Sequence, residues 1–140
     1  MIEKKIGFIG GGNMAQSLIG GLINSGISPE TIWVAEPLPP LRTKLKSKFG
    51  VKVTAKNSEV AEAVTFLVLA VKPQIMQEAI ASLKDTVALK SILMISVAAG
   101  IDIKSIETWF GGDPAVVRVM PNTPALIGAG ISGLFANSQV

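Results

Sequence analysis

The sequence predicts an α/β fold: a doubly wound, mostly parallel sheet held between two layers of helices. Three observations predict it. Short apolar segments alternate with helix-like segments at the spacing of β-α-β units. The longest apolar runs, Val64 to Val71 and Ile92 to Ala99, are each broken by a hydroxyl residue and are too short to span a bilayer, so they read as strands buried on both faces. Near the amino terminus, Lys5-Ile6-Gly7-Phe8-Ile9-Gly10-Gly11-Gly12-Asn13-Met14-Ala15 passes from an apolar strand through a glycine turn into a helix.

Taken in order, the first helix is predicted from Asn13 to about Ser25, with Gly26 as its stop. Ser28-Pro29-Glu30 turns the chain into a second strand, Thr31 to Ala35, which ends at Glu36. Pro39 and Pro40 suit the start of a helix carried from Leu41 to Phe49, and Gly50 caps it. Val51 to Val53 is a short third strand, and Asn57-Ser58-Glu59 opens a short helix with Asn57 as the candidate N-cap. Phe66 to Val71 is the fourth strand, after which Pro73 starts a helix over Gln74 to Leu83. Ile92 to Val97 is the fifth, followed by a helix from Asp102 or Ile103 to Phe110. Beyond Gly111-Gly112-Asp113-Pro114, Ala115 to Val119 is a sixth strand, and Met120-Pro121-Asn122-Thr123-Pro124 forms a rigid loop with a polar tip. Ile131 to Phe135 is a candidate seventh strand. With 140 residues and no internal repeat, residues 1–140 make one domain.

The glycine turn carries the first chemical reading. Gly10 takes the backbone angles of a sharp turn, Gly12 lets the main chain approach a pyrophosphate, and Ala15 lets the helix pack close to the first strand. The amides at the start of the following helix, which begins at Asn13, then face the phosphates of a dinucleotide, where the helix dipole favours negative charge. This is the Rossmann arrangement, and its spacing points to Glu36, 21 positions past Ala15, as the carboxylate for the adenine ribose hydroxyls. A carboxylate there repels a 2′-phosphate, and Pro37 has no N–H to help hold one, so both lean toward NAD. Arg42 is the one nearby guanidinium able to compensate, which leaves NADP or NAD open as the cofactor. In a doubly wound sheet, ligands sit beyond the carboxyl ends of the strands, so Ala70, Val71, Lys72 and Pro73 are predicted to lie across from the glycine loop. Ala98, Ala99 and Gly100 leave room for a flat ring at the end of the fifth strand, although close helix packing explains small residues equally well.

Composition removes several other chemistries. Histidine, tyrosine and cysteine are all absent, which excludes a Ser-His-Asp triad, a histidine-bearing zinc site, thiolate chemistry and a His or Tyr proton donor within these residues. The net charge of +3 comes from 13 basic and 10 acidic residues without a strong block of either sign. Arg42, Lys44, Lys46 and Lys48 make the densest basic stretch, expected on the solvated face of a helix, and nothing points to nucleic acid or to a membrane. Hydrophobic residues make up 49% of the chain, which excludes disorder. No leader with a cleavage site is evident, and a cytoplasmic location is expected.

Four stretches in this order are similar to the amino-terminal domain of the pyrroline-5-carboxylate reductases. They are Gly7 to Ala15, Leu69-Ala70-Val71-Lys72-Pro73-Gln74, Ser96-Val97-Ala98-Ala99-Gly100-Ile101, and Val117-Arg118-Val119-Met120-Pro121-Asn122-Thr123-Pro124-Ala125. The resemblance covers nearly the whole chain. It implies an oxidoreductase that reduces 1-pyrroline-5-carboxylate to L-proline with NADPH or NADH, the last step of proline synthesis. It also implies that Ile9 to Met14 hold the pyrophosphate and that Asn57 lies near the adenosine ribose. Ala70 to Pro73 and Ala98 to Gly100 would line the nicotinamide half, and Asn122 would face the substrate. Catalytic residues and any metal are not assigned.

The family continues into an all-helical domain that dimerises and completes the substrate pocket, and that domain is not found in these residues. The expectation is therefore a truncated chain that binds cofactor but barely turns over, from a full-length protein that is a homo-oligomer. Two other readings stand beside it: a non-catalytic NAD(P)-binding sensor module, and another dehydrogenase of the 6-phosphogluconate dehydrogenase type.

Overall fold

In a computed structural model, residues 5–90, 92–98, 100–111, 114–119 and 134–136 are described. Strand β1 (Ile6–Ile9) leads into helix α1 (Asn13–Asn24), and a single 3-10 turn, Pro29–Thr31, into β2 (Ile32–Ala35). Then follow α2 (Pro39–Phe49), β3 (Lys52–Thr54), α3 (Asn57–Ala63), β4 (Phe66–Leu69), α4 (Pro73–Ala81), α5 (Lys84–Lys90) and β5 (Leu93–Ser96). The last elements are α6 (Ile103–Phe110), β6 (Ala115–Val119) and β7 (Leu134–Ala136). The sheet order is β3-β2-β1-β4-β5-β6-β7, parallel from β3 to β6, with β7 antiparallel on the edge beside β6. The predicted doubly wound sheet is thus present, and strand order reverses between β1 and β4.

Three layers follow from which side chains each face buries. On one face Phe8, Val34 and Val68 pack with Ala15 and Ile19 of α1 and Leu45 of α2. On the other, Ile9, Leu67, Leu69 and Met94 pack with Val60 of α3, Met76 and Ile80 of α4, Val87 of α5 and Ile106 and Phe110 of α6. Neighbouring residues of β4 appear in opposite clusters, so the strand is apolar on both sides because both sides are covered. Lys44, Lys46 and Lys48 are exposed, as expected of a solvated helix face, and Lys46 and Lys48 lie in the last turn of α2, where the helix dipole favours cations. Among the described residues, no helix is long and apolar enough to cross a membrane.

Element ends show what local chemistry decides. Gly50 ends α2 in the left-handed conformation at φ +75, as its predicted capping role requires. Asn57, by contrast, does not cap α3. Lys56 is the flanking residue with extended angles, and Asn57 is already helical, so its amide side chain is free to donate to Ser82 Oγ at 3.0 Å. Helix α5 is an element the sequence pattern did not indicate.

Asp102 caps α6, its Oδ1 accepting from the Ser105 N–H at 2.8 Å. Hydrogen bonds from Ser105, hydroxyl first and then amide, hold the Asp102 carboxyl below the ordinary aspartate value. A carboxylate depressed in the folded state stabilises fully above its unfolded pKa, and that stabilisation is lost as pH falls through the folded value. Asp102→Asn retains a capping side chain, so acid titrations followed by circular dichroism should show a shallower loss of stability below the carboxylate range, with stability near neutrality little changed. An unchanged acid slope would refute this role.

Candidate functional site

The site grows from the end of β1. Gly10 sits at φ +100, a conformation side chains avoid, and its N–H donates to the Ala35 carbonyl at 2.8 Å. Next to it, the Ala70 N–H donates to the Ile9 carbonyl at 2.9 Å. These two bonds join the ends of β2, β1 and β4 at the point where the chain leaves the sheet. A Cβ on Gly10 would stand 2.8 Å from the Ala70 carbonyl oxygen and 3.2 Å from Val71 Cγ1. The glycine loop and the turn after β4 are therefore in direct contact, as the sequence predicted.

Gly12 flanks α1 with extended angles and no side-chain cap, and no acidic residue lies in the first turn. The amides of Asn13, Met14 and Ala15 have no intrahelical acceptor, because each lies within the first turn. A Cβ built on Gly12 meets nothing within 4 Å, so the backbone is open at this point. Ala15 is fully buried and packs in the cluster that holds Phe8, which brings α1 down onto β1. An uncapped helix end, open in front and backed by a buried alanine, fits the pyrophosphate of a dinucleotide.

Gly11 faces the other way. Its N–H donates to Glu36 Oε1 at 3.0 Å, while the Leu38 N–H donates to Glu36 Oε2 at 2.9 Å. Glu36 is 6% exposed, so the predicted ribose carboxylate is a nearly buried, fixed residue at the end of β2. Arg42 turns back onto the same turn, its Nη1 donating to the carbonyls of Glu36 at 2.8 Å and Pro37 at 3.0 Å. Gln16, which the sequence pattern did not single out, donates from Nε2 to the Gly11 carbonyl at 3.1 Å. Its only sequence signal is a polar residue one position beyond the glycine motif.

The second wall is formed by the ends of β4 and β5. Ala70 and Val71 are half-buried, and Lys72 and Pro73 stand exposed at the start of α4. Across from them, the Val97 N–H donates to the Leu69 carbonyl at 3.3 Å, and the buried Ser96 Oγ accepts from the Ala98 N–H at 3.4 Å. Gly100 is exposed at φ +76. Ala99 and Asn122 lie outside the described residues. Asn57 is at the start of α3, its amide engaged with Ser82 and not with the glycine loop. Among the described residues, no group of three or more His, Cys, Asp or Glu could hold a metal ion.

Comparison with known proteins bears on the family and the fold. A family described as NADP oxidoreductase, coenzyme F420-dependent, matches residues 5–100. A pyrroline-5-carboxylate reductase of Pseudomonas aeruginosa is 43% identical over 140 residues, spanning 100% of this chain and 51% of its own length. Among solved structures, a pyrroline-5-carboxylate reductase of Coxiella burnetii superimposes with a TM-score of 0.92 at 40% identity, covering 98% of this chain and 51% of that one. A pyrroline carboxylate reductase of Plasmodium falciparum, solved with NADP bound, gives 0.81 at 30% identity, covering 99% and 50%. The chain spans about half the length of the curated relatives it matches.

Proposed function

This chain belongs to the family described as NADP oxidoreductase, coenzyme F420-dependent, and from that premise we propose that it is the dinucleotide-binding part of a pyrroline-5-carboxylate reductase. The reaction is reduction of the cyclic imine 1-pyrroline-5-carboxylate to L-proline. The single observation that carries the reading is the open, uncapped end of α1 at Gly12, set against the turns after β4 and β5, in a chain 43% identical to such a reductase over its whole length. The cofactor is NAD or NADP, and when bound it supplies the hydride.

The chain's own residues then bind and orient. Backbone amides from Gly12 to Ala15 receive the pyrophosphate, and the Ala70–Pro73 and Ala98–Gly100 turns wall the nicotinamide half. Leu38, 56% exposed, and Ile75, 44% exposed, are the exposed large apolar side chains among the described residues. Both stand at the carboxyl edge of the sheet, one after β2 and one in the first turn of α4, where they offer apolar cover to a planar base. Asn122 is proposed to face the substrate.

An imine substrate also suits the composition. Hydride addition to a ketone leaves an alkoxide that needs an acid, whereas a protonated iminium becomes a neutral amine directly. A chain with neither histidine nor tyrosine is compatible with the second case, in which rate enhancement comes mainly from positioning. Titration of the chain with NADH and NADPH, followed by quenching of tryptophan fluorescence, should show saturable binding of a dinucleotide. The gene product that carries this sequence should form proline from 1-pyrroline-5-carboxylate as nicotinamide absorbance falls. Binding of neither dinucleotide, or binding without proline formation, would overturn the reading.

A further inference from the structure

We propose that Glu36 makes this site selective for the dinucleotide with an unphosphorylated adenine ribose, NADH over NADPH. The inference rests on the reading of the site as a dinucleotide site and goes beyond it, since the family description and the Plasmodium falciparum relative both point to NADP.

The carboxylate is held in place. A surface glutamate at a strand end swings into solvent when an anion approaches. Glu36 is held at both oxygens, by the Gly11 amide at 3.0 Å and the Leu38 amide at 2.9 Å, and is almost fully buried. Its stem fills the place of the side chain that Gly11 lacks: a Cβ there would lie 3.3 Å from both Glu36 Cβ and Cγ, and 2.6 Å from Leu45 Cδ1. Each carboxylate oxygen carries a second acceptor position, which a ribose hydroxyl can fill by donating. An ionised 2′-phosphate brings only acceptors and negative charge to the same position.

Along the turn, every backbone donor is either used or absent. The Glu36 N–H is used by the Thr54 carbonyl at 2.9 Å, and the Leu38 N–H by Glu36 itself. Pro37, Pro39 and Pro40 have no N–H. The Leu41 and Arg42 amides both donate to the Leu38 carbonyl, each at 3.1 Å. From residue 36 to residue 42 no backbone donor remains for a phosphate. The start of α2, often a natural anion site, is closed here by two prolines and by its own turn.

Arg42 carries the guanidinium of this turn. It is tied to the turn itself. Its Nη1 bridges the carbonyls of Glu36 and Pro37, so it braces the turn that presents the carboxylate. A 2′-phosphate would therefore have to share this guanidinium with two carbonyls and lie beside a fixed carboxylate.

The test is a direct comparison of dissociation constants for NADH and NADPH by calorimetry, with the wild-type chain and with Glu36→Gln and Glu36→Ala. NADH is expected to bind at least about tenfold more tightly to wild type. Glu36→Gln keeps the size and removes the charge, so NADPH should gain affinity and the ratio should fall. Glu36→Ala should weaken NADH and bring the ratio close to one. A general loosening of the loop would weaken both dinucleotides together and leave the ratio unchanged, which would overturn the proposal. Equal binding by wild type, or tighter NADPH, would also overturn it while leaving the proposed function intact. If neither dinucleotide binds wild type, the proposed function fails and the selectivity with it.

Discussion

Gly10→Ala should lower the stability of the chain by roughly 2–4 kcal/mol, combining the cost of a left-handed residue with that of overpacking, and should weaken dinucleotide binding at least about 100-fold. The two penalties act at one atom. At φ +100 any Cβ is strained, and here it would also meet the Ala70 carbonyl oxygen at 2.8 Å. That oxygen is backbone, and the strands on either side are fixed by the Gly10–Ala35 and Ala70–Ile9 hydrogen bonds, so no side chain can turn away to relieve the contact. The loop must shift as a whole, which moves the amides of α1.

Gly12→Ala is the matched control. Gly12 has φ −78 and open space before it, so alanine should cost at most about 1 kcal/mol, the difference between glycine and alanine as helix caps. Its methyl group would nevertheless project where the pyrophosphate is proposed to lie, and affinity should fall at least about tenfold. Urea denaturation and calorimetric titration of the two variants separate the effects. Normal dinucleotide affinity in Gly10→Ala would show that the glycine loop is not the phosphate site.

The contrast between these glycines was legible in the sequence, since the motif assigns a turn to one and a close approach to the other. So was the doubly wound sheet, because apolar runs too short to span a bilayer and separated by helices leave few topologies. Local pattern could not supply the limits of the strands. Ala70 and Val71 are as apolar as the residues of β4, yet they lie outside the strand, because the chain has already turned toward the glycine loop. Nor did local pattern reveal α5, from Lys84 to Lys90, which follows α4 after only two residues and has no glycine or proline to mark either end. The antiparallel direction of β7 depends on how the chain returns to the edge of the sheet, which no local signal encodes.

In the site, the sequence placed Glu36 at the correct strand end but did not show that its carboxylate is fixed at both oxygens. That anchoring depends on the Gly11 and Leu38 amides, one from a loop 25 residues earlier in the chain. Arg42 shows the same limit. Composition and spacing identified it as a possible phosphate ligand, and only the path of the turn shows it bonded to two carbonyls.

Leu67→Ala should cost about 2–5 kcal/mol, the range for emptying a buried leucine site, a large share of the ~5–15 kcal/mol that holds a domain folded. Leu67 is fully buried in β4, the strand paired on one side with β1 and on the other with β5. Its side chain also helps fill the space above Gly7, together with Val60 of α3 and Val64 just after that helix, so little nearby can collapse into the gap. The variant separates stability from binding. Leu67 lies within the strand and away from the turn that faces the glycine loop, so the folded fraction should bind dinucleotide as wild type does. Saturating cofactor at about 100 times its dissociation constant should then raise the unfolding free energy of both proteins by the same amount, about 2.7 kcal/mol. Urea melts with and without dinucleotide measure this. A smaller shift in Leu67→Ala would mean that the packing beneath β4 sets the geometry of the turn that follows it, making the core of this sheet part of the binding site.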